Sequence, residues 1–212
     1  MVADENRSVY NLDVAYARVR ERLSAADIEE QCRRSDSEYR RLDSGETATV
    51  HYLNQPYLVT FPGCKVRSTD NTELSLREQI LILHYLALAK GTVATNKLIP
   101  FRDLPGGVVY YPTFSKRTME PLTRFFGKEP GLLIKVCQRL GAQPYDMGDT
   151  AIIINAFRRV PITMVLWYGD EELSPQLNLL FDSNILDYLE TEDVTVVCEI
   201  ITWKLVGYSR EV

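Results

Sequence analysis

Histidine and clustered cysteine are scarce in this chain, and their scarcity limits the metal sites that it can form. Two histidines are present, so neither a three-histidine zinc site nor a two-histidine iron triad with a further histidine base can form. No two cysteines have the close spacing of a zinc or iron–sulfur motif. We therefore expect thiols rather than metal ligands in a reducing compartment. The residues concerned are His51, His84, Cys32, Cys64, Cys137 and Cys198.

The sequence also lacks the short motifs of several enzyme classes. It contains no G-x-x-x-x-G-K-[ST] phosphate loop, no G-x-G-x-x-G dinucleotide fingerprint and no H-E-x-x-H zinc helix. A G-x-S-x-G nucleophile elbow is absent as well. These absences exclude the common nucleotide-binding, metalloprotease and α/β-hydrolase types.

Long apolar runs are missing, and the overall charge is negative. No stretch approaches the roughly 20 apolar residues that span a bilayer, and the N-terminus lacks the pattern of a signal peptide. The net charge of −5 does not favour binding to nucleic-acid phosphates. We expect a cytoplasmic protein that binds neither membrane nor nucleic acid.

The charges are unevenly distributed along the chain. Residues 90–139 contain nine basic and three acidic side chains, whereas residues 160–203 contain nine acidic side chains and no Lys or Arg. We expect the two stretches to neutralise each other within the fold, with Lys116, Arg117 or Arg124 close to the acids at 170–172. A surface for an oppositely charged partner is the alternative.

Hydrophobic periodicity predicts an α+β fold. Alternating runs at 47–53 and 57–61 and at 151–157 and 162–168 predict two hairpins, with turns at Gln55-Pro56 and at residues 158–161. A capping-box pattern begins an apolar helix at residues 76–90, which we expect to be buried against a mainly antiparallel sheet. We predict one domain, with an N-terminal helical segment (1–45), an α+β body (46–212) and flanking N- and C-terminal helices.

A set of aromatic and basic residues forms the candidate binding site for a planar ligand. His84 lies within the apolar helix. An imidazole there is a core residue paired with a polar group, an axial ligand to a tetrapyrrole metal, or a proton-transfer group that lines a cavity. Two tyrosines follow a Pro-Gly-Gly turn and end a predicted strand at 108–111, which precedes a predicted helix from 114. The alternative for the aromatic residues is ordinary core packing. The candidates are His84, Tyr85, Tyr110, Tyr111, Phe114, Arg117 and Trp167.

Carboxylates near the end of a predicted strand form the second candidate group. Asp170 and Glu171 follow Trp167-Tyr168-Gly169 and are candidate ligands for a divalent cation, with His84 as a separate metal candidate. A solvated turn is the alternative for the acids, since their spacing differs from that of a calcium loop. Asp182 is predicted to cap a following helix.

Five stretches of the chain together resemble a family of bacteria and archaea known as the domain of unknown function 3786. They are LREQILILHYL (76–86), FRDLPGG (101–107), RVPI (159–162), LWYGDEE (166–172) and LFD (180–182). Members occur in anaerobes and are sometimes fused to a four-cysteine iron–sulfur domain, which this chain lacks. The resemblance implies a setting in anaerobic metabolism, with an iron–sulfur or corrinoid protein as partner, and identifies no catalytic residue.

Three hypotheses for the function follow from these observations. The first is a non-catalytic ligand-binding or accessory module for a hydrophobic planar ligand, with a corrinoid or haem as the candidate cofactor. The second is a small-molecule enzyme that uses carboxylates and tyrosines (Asp170, Glu171, Asp182, Tyr110). The third is a protein-interaction partner of a redox or corrinoid system that uses the uneven charge.

Overall fold

The computed structural model describes residues 2–69 and 72–212, with side chains from Leu12 onward. It divides into two compact units. Unit 1 contains Met1–Thr92 together with Asp187–Leu189, and unit 2 contains Val93–Leu186 together with Glu190–Val212. Helices accompany antiparallel strands in each unit, which confirms the predicted α+β class.

Unit 1 is an antiparallel sheet with helices beside it. Strands β1 and β3 both pair with β2, and β4 pairs with β3. The elements are α1 (Val2–Ser24), α2 (Ile28–Ser35), β1 (Glu38–Leu42), β2 (Gly45–Tyr52), β3 (Gln55–Phe61), β4 (Lys65–Ser68) and α3 (Leu76–Leu88).

Helix α3 is the buried helix predicted from its apolar sequence. Ser75 and Glu78 form the predicted capping box, in which the Ser75 side chain accepts from the Glu78 backbone N–H. The helix contacts α1, α2 and β2, and its apolar side chains from Ile80 to Leu83 are buried. Burial of this stretch removes a long apolar run of the sequence from water.

The first hairpin turns two residues earlier than predicted. Tyr52 pairs with Gln55, so Leu53 and Asn54 form the two-residue turn, and both have positive φ angles of 47° and 64°. Two successive left-handed residues match the twist of antiparallel strands, and Asn is well suited to this conformation. The proline at 56 that suggested the turn lies instead within β3.

The N-terminal segment 1–45 is not helical throughout as predicted. Residues 38–42 form β1, whose charged residues show little alternation because most of them are exposed. Asp27 is the N-cap of α2, and its side chain accepts from the Glu30 N–H.

Unit 2 is a second antiparallel arrangement, with strands in the order β6–β7–β8–β9–β5. The β7–β8 hairpin turns at Arg158-Arg159, within the predicted 158–161 loop. The elements are β5 (Leu98–Pro100), α4 (Gly107–Arg117), α5 (Met119–Phe126), α6 (Pro130–Cys137), β6 (Gln143–Tyr145), β7 (Thr150–Phe157), β8 (Val160–Trp167), β9 (Gln176–Asp182) and α7 (Thr191–Ser209).

Residues 108–111, predicted as a strand, belong to helix α4. The apolar run Val-Val-Tyr-Tyr fits a strand by composition, because β-branched and aromatic residues favour strands. Tertiary contacts decide otherwise, since Phe114 on the same helix stacks on Phe101 at a centroid distance of 3.8 Å. Strand β9 was not predicted, although Leu177, Leu179 and Phe181 are buried at alternate positions along it.

Helix α7 packs its apolar face against helices α4, α5 and α6 of unit 2. Val194, Val197, Cys198, Ile201 and Leu205 are all buried on α7, as its spacing predicts. Within residues 2–69 and 72–212, every helix is too short or too polar to span a membrane.

Candidate functional site

A tight turn positions the first turn of helix α4. Leu104 to Gly107 form the turn predicted from Pro-Gly-Gly, and it is of type II. Gly106 has φ 72° and ψ −3°, and the Gly107 N–H donates to the Leu104 carbonyl at 2.8 Å. A Cβ on Gly107 would overlap the carbonyl oxygen of Phe101. Glycine is therefore needed at both positions, at Gly106 for conformation and at Gly107 for space.

This turn presents apolar side chains to the solvent. Val108 is 71%, Val109 87% and Tyr110 41% exposed, and Pro112 is exposed on the next turn. We call Val108, Val109, Tyr110 and Pro112 the α4 surface. Single exposed apolar residues are ordinary, but contiguous ones on a rigid element mark a contact surface.

The remaining candidates on α4 face in different directions. Tyr111 lies beneath the Arg102 guanidinium, 3.7 Å from the ring centroid, which is a cation–π contact. Phe114 is buried in the stack with Phe101. Arg117 pairs with Glu199 of α7 at 3.0 Å. Tyr110 is thus the one exposed aromatic residue among the three candidates Tyr110, Tyr111 and Phe114 on α4.

His84 and Tyr85 lie on α3 in unit 1. His84 is half-buried rather than buried, because it lies on the outer side of the helix with Arg77 and Leu88. Tyr85 is buried, donates its hydroxyl to the Ser35 carbonyl at 2.5 Å and stacks on Tyr188. Tyr85 therefore has a structural role, and a ligand role for His84 stays a prediction.

The acids after β8 form a compact loop. Asp170 Oδ1 accepts from the backbone N–H groups of Glu172 and Leu173 at 2.8 and 2.7 Å. These two hydrogen bonds, of which the one from Leu173 has the larger effect, hold the pKa of Asp170 below its usual value. Glu171 is exposed in the same loop, and Trp167 is 40% exposed at the end of β8.

Asp182 is a buried carboxylate that organises the segment before β5. It accepts from Thr95 N and Oγ1, from Asn96 N and from Asn184 N, at 2.6–3.2 Å. Burial alone would raise its pKa, but these hydrogen bonds outweigh burial and lower it. Asp182 thus stabilises both the segment before β5 and the turn that follows β9. The prediction that it caps a following helix is wrong, because no regular α-helix begins there.

The basic and acidic stretches of the sequence meet at two places. Lys90 pairs with Asp187 at 2.7 Å within unit 1, and Arg117 pairs with Glu199 within unit 2. The expected pairing of Arg117 with residues 170–172 is wrong, because α7 rather than the β8 loop packs against the end of α4.

The four cysteines are buried and unpaired, as predicted. Burial raises the pKa of Cys32 to about 12 and raises the pKa values of Cys64, Cys137 and Cys198. These thiols therefore stay protonated and unreactive at neutral pH. Among the side chains that the structure describes, no group of three or more His, Cys, Asp or Glu is arranged to hold a metal ion.

The sequence interpretation missed the valines of the α4 surface. Val108 and Val109 were assigned to a strand, where alternate side chains would be covered. The available signal was the Pro-Gly-Gly turn directly before them, since a turn of this kind can also precede a helix.

Comparison with known proteins identified one family. The model of the domain of unknown function DUF3786 matches residues 27–203, which is most of the chain. No curated protein and no solved structure matches the chain at a significant level.

Proposed function

The chain belongs to the family of the domain of unknown function DUF3786, and we propose that it is a non-catalytic binding module for a hydrophobic, planar ligand of the tetrapyrrole class, a corrinoid or a haem. The observation that carries this proposal is the rigidly held, exposed α4 surface. In this proposal the module acts in anaerobic metabolism as an accessory to an iron–sulfur or corrinoid protein in the cytoplasm.

The chemistry of the α4 surface suits a flat ligand with acidic substituents. Two valines and the Tyr110 ring offer apolar area, which a planar ring system would remove from water. Lys116 lies one helical turn beyond Pro112 and is exposed, and the Arg102 guanidinium covers Tyr111 nearby. Tetrapyrrole side chains that end in carboxylates would meet these cations.

The contacts of the polar candidates support binding over catalysis. The carboxylate of Asp182 is occupied by hydrogen bonds from loop residues, and that of Asp170 closes its own turn. Tyr85 is bonded to Ser35, and Arg117 is paired with Glu199. A general acid or base needs access to a substrate proton, and these groups serve the fold instead.

Absorption spectroscopy tests the proposal directly. The purified full chain is titrated with hemin and, separately, with hydroxocobalamin, and the change in the ligand absorption band is followed. We expect saturable binding to one of them, and Val109→Ser should weaken it by roughly tenfold, since a buried valine side chain contributes about 1.5 kcal/mol.

The matched control is Val93→Ser, which changes a valine that is 76% exposed outside the α4 surface. This variant should bind like the unmodified chain. If neither ligand binds, or if both serine variants behave alike, the planar-ligand proposal is wrong.

A further inference from the structure

Two loops of unit 2 meet at one end of the β6–β7–β8–β9 sheet. The first runs from Tyr145, the last residue of β6, to Asp149, and the second runs from Trp167, the last residue of β8, to Leu173. The Tyr168 backbone N–H donates to Asp149 Oδ2 at 2.7 Å, and the Tyr168 and Thr150 hydroxyls are hydrogen-bonded. We call residues 145–149 and 167–173 together the acidic rim.

The acidic rim exposes large apolar side chains. Tyr145, Trp167, Tyr168 and Leu173 are 41%, 40%, 46% and 66% exposed. Register places Tyr145 on the same face as Trp167, because Tyr145 pairs with Ala151, Ala151 pairs with Val165, and Trp167 follows two residues later. Tyr168 lies on the opposite face, so aromatic rings flank the rim on both sides.

The loops that carry these side chains are held rigidly. A Cβ on Gly148 would stand 2.7 Å from Val165 Cγ1 and 3.3 Å from Trp167 Nε1, so only glycine allows this loop to lie against the indole. A Cβ on Gly169 would stand 2.6 Å from Pro175 Cδ. Together with the turn closed by Asp170, these contacts prearrange the surface, and prearrangement reduces the entropy that binding would cost.

The rim is strongly and uniformly negative. Its carboxylates are Asp146, Asp149, Asp170, Glu171 and Glu172, and its sequence contains no Lys or Arg. In the part of the chain that the structure describes, no rim carboxylate lies within ion-pair distance of a basic side chain. Lys128 stands at the margin, because the neighbouring Gly127 packs against Pro175.

We propose that the acidic rim is a docking surface for a basic, arginine- or lysine-containing segment of a partner protein. Clustered like charges repel one another and raise the local negative potential, which attracts and orients a cationic partner. Exposed Trp and Tyr rings bind guanidinium and ammonium groups on their faces, and tryptophan is also frequent among residues that dominate binding energy. Carboxylates beside aromatic rings thus match the charge and the flat geometry of arginine.

Fluorescence anisotropy of a labelled probe tests this surface on the full chain. The probe is a 12-residue peptide of alternating arginine and serine, and its counterpart has every arginine replaced by glutamine. We expect the arginine peptide alone to bind, with an affinity that falls as salt rises. The charge-reversed double variant E171K/E172K and the variant Trp167→Ala should each weaken binding by roughly tenfold or more.

The control reverses the same number of charges elsewhere. Glu21 and Glu129 are exposed acids outside the rim, and E21K/E129K should bind the peptide within about twofold of the unmodified chain. Asp170 is left unchanged, since its carboxylate closes the loop. Circular dichroism of every variant verifies that the fold is retained.

Four results would overturn the proposal. The first is failure of the unmodified chain to bind the arginine peptide, and the second is equal loss of binding in E21K/E129K and E171K/E172K. The third is complete displacement of the peptide by free arginine at matched guanidinium concentration, which would indicate a site for single cations. The fourth is concentration-dependent dimerisation, abolished by E171K/E172K in sedimentation experiments, which would identify a second copy of the chain as the occupant. Binding of hemin or hydroxocobalamin at α4 is measured independently, so the two proposals can fail separately.

Discussion

Replacement of Asp182 by alanine would remove the acceptor of a buried hydrogen-bond network in unit 2. Asp182 is 4% exposed, and its carboxylate accepts from Thr95 N and Oγ1, from Asn96 N and from Asn184 N. In the alanine variant the Thr95 hydroxyl still has Ser183 Oγ, at 2.8 Å, as a partner. The three backbone N–H groups lose their acceptor.

The expected cost follows from the number of donors left without a partner. A buried donor that loses its acceptor costs about 1–3 kcal/mol, and Thr95 and Asn96 are exposed enough for water to replace part of this loss. We therefore expect Asp182→Ala to lower the free energy of unfolding by about 2–4 kcal/mol. Asp182→Asn keeps one oxygen in place and should cost about 1–2 kcal/mol.

The pH dependence of this contribution has a defined direction. The folded-state pKa of Asp182 lies below its usual value of 3.8, so the ionised form is favoured in the folded chain. Its stabilising effect is therefore fully present above the unfolded pKa of about 4 and is lost as pH falls through the folded pKa. The difference in stability between the unmodified chain and Asp182→Asn should shrink below about pH 4.

Urea unfolding followed by circular dichroism at pH 7 and at pH values from 5 to 3 measures these differences. The control is Asp103→Asn, an exposed acid of the same unit, which should change stability by less than about 0.5 kcal/mol. The reasoning is refuted if Asp182→Ala is as stable as Asp103→Asn, or if Asp182→Asn is destabilised more than Asp182→Ala.

Two further substitutions test the structural roles assigned to candidate residues. Gly107→Ala should destabilise the chain by about 2–3 kcal/mol in thermal unfolding, because the added methyl group overlaps the Phe101 carbonyl, whereas Gly131→Ala has open space and should be neutral or stabilising. Tyr85→Phe should lower the free energy of unfolding in urea by about 1–2 kcal/mol, since it removes the hydroxyl that donates to Ser35. Tyr110→Phe changes an exposed residue and should cost nearly nothing. Equal stability of the two Phe variants would contradict a structural role for Tyr85.

Elements with strong local patterns were predicted correctly from the sequence. The capping box at Ser75 and the apolar run that follows it identify α3, and the β7–β8 hairpin follows from two apolar runs around a short polar loop. The type II turn before Gly107 follows from its Pro-Gly pair. In each case the determining interactions lie within a few residues of one another.

The candidate site was predicted less well, because exposure and pairing depend on distant residues. Tyr85 and Phe114 were predicted to contact a ligand. Instead, the Tyr85 hydroxyl donates to the Ser35 carbonyl, and the Phe114 ring stacks on Phe101. Arg117 was expected near the acids after β8, but its partner Glu199 lies 82 residues further along the chain. No local signal identifies such partners.

By itself, the sequence determined the α+β class, the buried α3 helix, the β7–β8 hairpin and the uneven distribution of charge, since these depend on periodicity, turn residues and composition. Tertiary structure alone decided that residues 108–111 are helical, that Val108 and Val109 are exposed, and that residues 145–149 and 167–173 lie together. The physical reason is that Phe101 stacks on Phe114 of a separate element and that the Tyr168 N–H donates to Asp149 of a separate loop. Contacts between elements of this kind override local propensity.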